Sequence, residues 1–212
     1  MKHRIIIPAI LLTAAAFTSC VKEKLEDTYN KQEDRIDQYI EKQRYVKRTV
    51  QVPARDPETG EIKTDDSGQT VMRDSTVTDT LKVVYNEGTS RLITKEGEGE
   101  ELKADGAIAF YYAGYTFNGS KSKSNLFMTN HQETALDAGW DLTEENFKVY
   151  MTNMNGSDLL EGLKNGLLGV KTGEHCEILF SGKYGFGNKE FGIIPANSAL
   201  LYEIWVEAVS ND

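Results

Sequence analysis

Three short segments in the last third of the chain combine apolar side chains with backbone groups that can hydrogen-bond. They read Leu-Glu-Gly-Leu at 160–163, Tyr-Gly-Phe-Gly at 184–187 and Gly-Ile-Ile-Pro at 192–195. A helix start leaves backbone N–H groups without intrahelical acceptors, and glycine turns let the backbone approach a ligand closely. The three segments together therefore predict an apolar pocket for an extended peptide.

The cysteine and histidine residues do not predict a nucleophile or a metal site. Cys176 alternates with Ile178 and Phe180 as on the buried face of a strand, and only His175, on the opposite face, is close to it in sequence. A packed, unreactive thiol is the favoured interpretation. The three histidines are too scattered along the chain for a metal site. We expect neither a metal nor another cofactor.

Strands and one short helix must position the three segments. Strands are predicted at 90–94, 107–117, 147–151, 174–180 and 199–208, and a helix from Leu159 to about Leu168, where Gly169 ends it. Asn118-Gly119 is a hairpin signal after the second strand. This order predicts an α+β domain in which an antiparallel sheet wraps over one short helix, with the pocket between them.

The N-terminal residues indicate export and a lipid anchor. Lys2 and Arg4 precede an apolar run, 5–17, that is too short to span a bilayer but has the length of a signal-peptide core. The run ends in Ser19-Cys20, which resembles the bacterial lipoprotein signal in which the cysteine is acylated. We expect a signal peptide at 1–19 and a protein anchored through Cys20 in the bacterial cell envelope, at the outer membrane, on a face that the sequence does not fix. The alternative is an ordinary cleaved signal with an incidental cysteine.

Charge and cysteine count exclude further classes. The chain carries 24 Lys and Arg against 33 Asp and Glu, and the signal holds two of the basic residues. So acidic a protein is not expected to bind nucleic acid. There are two cysteines, and acylation of Cys20 leaves Cys176 without a partner, so no disulfide is expected. The oligomeric state stays open.

Residues 20–90 form a predicted extension before a domain at 91–212. A helix at 27–44 carries a thin apolar stripe of Tyr29, Ile36, Tyr39 and Ile40, which indicates a spacer between lipid and domain, with dimer contacts as the alternative. Turn-rich segments at 57–60 and 65–68 then predict one or two hairpins.

The motifs of the C-terminal part resemble those of the FKBP-type peptidyl-prolyl isomerases. They occur in that family's order and cover roughly 91–209. They are Gly97-x-Gly99, Tyr111-Tyr112-Ala113-Gly114, Leu160-Glu161-Gly162, the run 169–174 before the next strand, Tyr184-Gly185-Phe186-Gly187, and the run 193–200 beginning Ile-Ile-Pro.

The resemblance implies rotation about the bond before proline, with proline-containing or apolar polypeptide segments as partners. Such a pocket needs no nucleophile or metal, because it binds the twisted amide better than the planar one. The implied donor is the backbone N–H of Leu160. The residues implied for catalysis are Leu160, Tyr112, Phe127 and Phe186, and those for substrate binding are Phe147, Leu159, Leu163, Ile193, Ile194 and Tyr202. Placing Phe127 requires an insertion after Asn118-Gly119.

Three residues depart from the family pattern inside the pocket. Met128 replaces an aspartate, Phe186 a tyrosine, and Leu163 a tryptophan. Two hypotheses follow. The first is an exported, membrane-tethered prolyl isomerase or folding helper of weak activity. The second is a non-catalytic peptide-binding or scaffold lipoprotein.

Overall fold

The computed structural model describes the backbone of residues 11–155 and 159–212, and their side chains except within 11–21. The first ten residues of the predicted signal peptide therefore lie outside the described residues, as does the side chain of Cys20. In the described part, the helices are α1 (Leu11–Gln43), α2 (Gln132–Asp137) and α3 (Glu161–Leu167). The strands are β1 (Tyr45–Pro53), β2 (Met72–Thr80), β3 (Lys82–Asn86), β4 (Thr89–Lys95), β5 (Ala107–Phe117), β6 (Leu126–Thr129), β7 (Tyr150–Asn153), β8 (His175–Phe180) and β9 (Ala199–Ser210). None of these helices is long and apolar enough to cross a membrane.

Seven of the strands form one antiparallel sheet. Its order is β3-β4-β8-β9-β5-β6, and β7 pairs with the first half of β5. The longest pairing joins β5 to β9, from Ala107 opposite Ser210 to Phe117 opposite Ala199. The predicted α+β architecture, with the sheet over one short helix, is confirmed.

Helix α3 lies directly against one face of this sheet. Gly162 and Gly166 permit the approach, since a Cβ atom on either would come within 2.2 Å of the side chains of Phe180 and Ile178. Gly169 ends this segment with a φ of +78°, in the left-handed region that glycine adopts readily. The first core of the protein fills the space between α3 and the sheet.

Helix α1 covers the opposite face of the sheet, which corrects the interpretation of this segment as a solvated spacer. Ile36, Tyr39 and Ile40 are 3%, 7% and 1% exposed. They pack on a second core that includes Leu179 and Leu201. The stripe on the helix is narrow, but the sheet presents apolar side chains on both faces, so the helix belongs to the folded body.

A polar network lies beneath α1 at this second core. The hydroxyl of Tyr39 donates to Glu177 Oε2 at 2.8 Å. Lys121 Nζ lies 2.6 Å from Glu177 Oε1 and 3.0 Å from Glu203 Oε2, and His175 Nε2 lies 3.0 Å from Glu203 Oε1. Burial pushes the pKa of Glu203 upward, but the hydrogen bonds from His175 and Lys121 outweigh it and hold that pKa below its ordinary value.

Strands β1 and β2 form a separate two-stranded ribbon, which confirms a hairpin in the extension. Nine residue pairs run from Tyr45 opposite Thr80 to Pro53 opposite Met72. The next strand, β3, belongs to the main sheet, because it pairs with β4 from Lys82 opposite Ile93 to Asn86 opposite Thr89. The sheet therefore begins at residue 82, and the predicted domain boundary at 91 falls inside β4.

Candidate functional site

A cavity of about 240 Å³ opens between α3, the strands β5, β6, β7 and β9, and the loop after β8. Aromatic and aliphatic side chains make up most of its wall. They are Phe110, Tyr112, Met128, Tyr150, Leu159, Leu160, Leu163, Phe186, Phe191 and Tyr202. The sequence-predicted residues among them are Tyr112, Leu159, Leu160, Leu163, Phe186 and Tyr202.

Strand β5 supplies one wall through its alternation. Phe110, Tyr112 and Gly114 share a face because successive side chains of a strand point to opposite sides. Gly114 leaves space for Phe127, whose ring would lie 2.8 Å from a Cβ at that position. Phe127, which was predicted as a site residue, is not among the residues that line the cavity, and its ring packs edge-on against Tyr202 with centroids 5.9 Å apart. The insertion after Asn118-Gly119 brings Met128 opposite Gly114.

Helix α3 places Leu160 at the position expected for a backbone donor. Leu160 is the N-cap residue, and its carbonyl accepts the bond from Lys164 N at 2.9 Å. Backbone N–H groups at a helix start have no acceptor within the helix, so they are available to a ligand. Arg91 fixes the other end of the helix, where its guanidinium donates to the carbonyls of Gly166 and Leu168 at 2.8 and 2.7 Å.

Residues 181–198, which we call the pocket loop, form the third wall. The rings of Phe186 and Phe191 stack at 4.6 Å between centroids, 6° from parallel. A tight turn holds Phe191, because its N–H and carbonyl both bond to Ile194, at 3.0 and 2.9 Å. Ile194 is buried in the core and Ile193 is 78% exposed, and neither of these two predicted binding residues lines the cavity. The sequence did not single out Phe191, which lies just before the Gly-Ile-Ile-Pro motif.

Phe147 was wrongly predicted to line the pocket. It ends a 3₁₀ turn, Glu144–Phe147, and lies in a different cavity, of about 320 Å³, with Tyr111, His131 and Trp205. There the ring of His131 stacks on Trp205 at 3.8 Å between centroids.

Tyr150 occupies the place assigned to Phe147. Strand β7 begins at Tyr150, three residues later than the predicted strand. The ring of Tyr150 packs edge-on against Phe110, with 5.4 Å between centroids. The 3₁₀ turn precedes this strand, and at its start Thr143 N donates to Asn146 Oδ1 at 3.1 Å.

Tyr202 carries a buried hydroxyl at the cavity wall. The residue is 4% exposed, and its hydroxyl donates to Met128 Sδ at 3.9 Å, a weak acceptor. Burial, reinforced by the neighbouring Tyr112, raises the pKa of Tyr202 well above its ordinary value. Burial also raises the pKa of Tyr112. Both hydroxyls are therefore neutral donors over the whole physiological pH range.

The site's chemistry is thus that of an apolar cleft with neutral donors. No carboxylate lines the cavity in the described part of the chain. Among the same residues, no group of three His, Cys, Asp or Glu side chains is placed to hold a metal. Cys176 is fully buried, and burial raises the pKa of its thiol. Such a cleft can bind an apolar segment and orient its carbonyl groups.

A model of the FKBP-type peptidyl-prolyl cis-trans isomerase family matches residues 99–207. FK506-binding protein 1 of Aspergillus oryzae is 23% identical over 117 residues, which is 55% of this chain and 94% of that protein. FK506-binding protein 1A of Neurospora crassa is 30% identical over 52% of this chain and 79% of its own length. The isomerase FkpA of Buchnera aphidicola is 27% identical over 57% of this chain, which spans only 40% of FkpA.

The solved structures that align with this chain show low sequence identity to it. The three FKBP domains of wheat FKBP73 align with a TM-score of 0.49 at 18% identity, covering 68% of this chain and 57% of that one. A peptidyl-prolyl cis-trans isomerase of Pseudomonas syringae aligns with a TM-score of 0.46 at 18% identity, covering 61% and 81%.

Proposed function

The chain belongs to the FKBP-type peptidyl-prolyl cis-trans isomerase family, and we propose that its cavity binds proline-containing segments and accelerates rotation about the bond before proline. The main observation in support of this proposal is the apolar cavity of about 240 Å³, which has Leu160, at the start of α3, on its wall. The proposed partners are unfolded or partly folded polypeptides whose proline bonds limit their folding.

The apolar wall supports this reaction because the dipole of the amide becomes smaller as the bond rotates. Rotation about the bond costs roughly 20 kcal/mol without a catalyst, because the perpendicular state loses its resonance. That state has a smaller dipole, so an apolar cleft stabilises it relative to the planar form, which water solvates better. A donor such as the Leu160 N–H orients the substrate carbonyl. Catalysis is then differential binding of the twisted state.

Tyr202 supplies the polar contact that Met128 and Phe186 do not. We assign its hydroxyl as a donor to the substrate carbonyl, because it lines the cavity and its partner there is a thioether at 3.9 Å. A substrate oxygen is a much stronger acceptor than a thioether. Loss of one neutral hydrogen bond from the family pattern is worth about 1 kcal/mol, or roughly fivefold in rate, so the proposed activity is weak.

The experiment is a coupled isomerisation assay on proline tetrapeptides with the purified full chain. A rate above background that saturates with peptide supports the proposal, and a rate equal to background at high protein concentration overturns it. Met128→Asp combined with Phe186→Tyr introduces the family's polar groups. We expect this double variant to be faster than the parent.

A second candidate is a non-catalytic peptide-binding or scaffold protein. The apolar side chains of Met128 and Phe186 favour it, because both line the cavity without offering a hydrogen bond. Calorimetric binding of a proline peptide by a protein that gives no rate above background would support this candidate over the isomerase.

Export and tethering are a separate proposal. The basic start, the apolar run at 5–17 and Ser19-Cys20 support a signal peptide at 1–19 and acylation of Cys20 in the bacterial envelope, at the outer membrane. Labelled palmitate should enter the chain when it is produced in a bacterial host. Cys20→Ser should remove the label and release the protein from the membrane fraction, whereas Cys176→Ala should keep it. Label in the Cys20→Ser protein would contradict the assignment.

A further inference from the structure

Helix α1 contacts the pocket loop at the point where the loop leaves and re-enters the sheet. Three side chains on one turn of the helix make these contacts, namely Tyr29, Gln32 and Glu33. They lie one turn before Ile36, which anchors the same helix in the second core. The helix is outside residues 99–207, the part of the chain that the family model matches.

Gln32 bonds both ends of the pocket loop with one amide group. Its Nε2 donates to the carbonyl of Asn197 at 2.6 Å. Its Oε1 accepts from the N–H of Gly182 at 2.9 Å. An amide has a donor and an acceptor at a fixed separation, so the two bonds hold the two ends at a fixed distance from each other.

The ends of the loop already touch each other. A Cβ on Gly182 would lie 2.5 Å from the carbonyl carbon of Asn197, so no side chain fits between them. Gly187 N donates to Gly182 O at 3.0 Å, and Asn197 N donates to Gly187 O at 2.5 Å. The base of the loop is therefore a close backbone crossing that extends as far as Gly187, the neighbour of Phe186.

Asn197 is the strained member of this crossing. Its φ is +59°, in the left-handed region that residues other than glycine seldom adopt. Such conformations persist where surrounding contacts fix them. Here Tyr29 donates its hydroxyl to Asn197 Oδ1 at 2.9 Å, and Gln32 holds the carbonyl. The neighbouring residue on the other side of the crossing, Ser181, donates to Glu33 Oε1 at 3.1 Å.

We propose that Gln32, assisted by Tyr29, is a positioning residue for the peptide site, and that it clamps the base of the pocket loop so that Phe186 and Phe191 form the cavity wall. The inference rests on the proposed function of that cavity. If the pocket loop adopts its binding conformation only part of the time, the apparent Kd for a ligand of the cavity rises as the fraction of that conformation falls. The clamp raises that fraction without touching the substrate.

The test compares Gln32→Ala with Gln38→Ala in the full chain. Gln38 is on the same helix but exposed, so it is the matched control. In Gln32→Ala we expect the KM for a proline tetrapeptide to rise by roughly 5- to 25-fold, the weight of one to two lost hydrogen bonds, while kcat changes little. Hydrogen exchange at the amides of Gly187 and Asn197 should speed up, and the amides of β8 should keep their protection.

Two results would overturn the clamp. One is a Gln32→Ala protein whose KM and loop exchange match those of Gln38→Ala. The other is faster exchange throughout α1 and the sheet, which would assign Gln32 a general structural role. Gln32→Glu keeps the acceptor for the Gly182 N–H and loses the donor to the Asn197 carbonyl. In this variant the amide of Gly182 should therefore stay protected from hydrogen exchange, whereas the amide of Asn197 should exchange faster than in the wild type. Wild-type exchange at both positions would contradict a two-ended clamp.

The exchange measurement separates this inference from the proposed function. If the wild-type protein shows no isomerisation, the enzyme assignment fails, but the effect of Gln32→Ala on loop exchange and on the Kd of a proline peptide still decides the clamp. If the wild type is active and Gln32→Ala leaves the loop unchanged, the clamp fails alone.

Discussion

Replacing Tyr202 by phenylalanine removes a single hydroxyl from the cavity wall and leaves the ring in place. The ring is 4% exposed and packs edge-on against Phe127. The hydroxyl's partner in the unliganded protein is Met128 Sδ at 3.9 Å. Losing so weak a bond costs the fold little, because the substitution also removes a buried polar group. We expect the free energy of unfolding to change by less than about 1 kcal/mol.

The effect on catalysis is larger, because the proposed acceptor is a substrate carbonyl. A neutral hydrogen bond contributes about 1 kcal/mol, which is roughly fivefold in kcat/KM. Since burial raises the pKa of Tyr202 well above its ordinary value, the hydroxyl stays protonated in alkaline solution. The kcat/KM of the wild type should therefore stay above that of Tyr202→Phe up to pH 10, where an exposed tyrosine is half ionised.

The assay is coupled isomerisation of a proline tetrapeptide, with urea unfolding measured on the same samples. Tyr115→Phe is the control, since Tyr115 is also buried, at 6% exposed, but belongs to the core under α1. Its kcat/KM should equal that of the wild type. Equal kcat/KM in Tyr202→Phe and wild type would refute the donor role of the hydroxyl, and a large loss of stability would show that the ring had moved.

Three further predictions concern the fold around the site. Ile40→Ala should lower the free energy of unfolding by about 2–5 kcal/mol in urea titrations, because Ile40 is 1% exposed between α1 and the sheet; an unchanged midpoint would show that α1 does not dock. Gly162→Ala should cost about 1–3 kcal/mol and weaken peptide binding, since its Cβ would come within 2.2 Å of the Phe180 ring and displace α3; wild-type stability and Kd would contradict that contact. Acidification should lower stability in two steps. Burial lowers the pKa of His131, so its contribution is present above the ordinary value of 6.5 and is lost as pH falls. The pKa of Glu203 is also lowered, so its contribution is lost below the ordinary value of 4.5. Urea midpoints from pH 8 to 3 measure both steps, and the first should vanish in His131→Gln; its survival there would assign it to another group.

The sequence was sufficient where a backbone requirement has a distinctive residue pattern. A helix start with free backbone donors singled out 160–163, and a glycine-flanked turn singled out 184–187. The resemblance to the family implied the roles of Leu160, Leu163 and Phe186. All three side chains line the cavity, because a helix cap or a turn is determined by a few neighbouring residues.

The sequence was insufficient where position depends on a distant partner. Phe147 and Tyr150 are both aromatic in one short segment, and only the pairing of β7 with β5 decides which ring faces the cavity. The stripe on α1 looked too thin to bury, because its partners Leu179 and Leu201 lie more than 130 residues away in sequence. Strand β3 was missed for the same reason, since its place in the sheet follows from pairing with β4.

The position of β9 sets the moment at which this protein can fold. It is the last strand of the chain, yet it lies inside the sheet between β8 and β5. Ribosomes release a chain N-terminus first, at roughly 5–20 residues per second. Until residues 199–210 emerge, neither core can close and the apolar stripe of α1 has no complete surface to cover. Both cores therefore depend on a strand that is synthesised after every other element of the sheet.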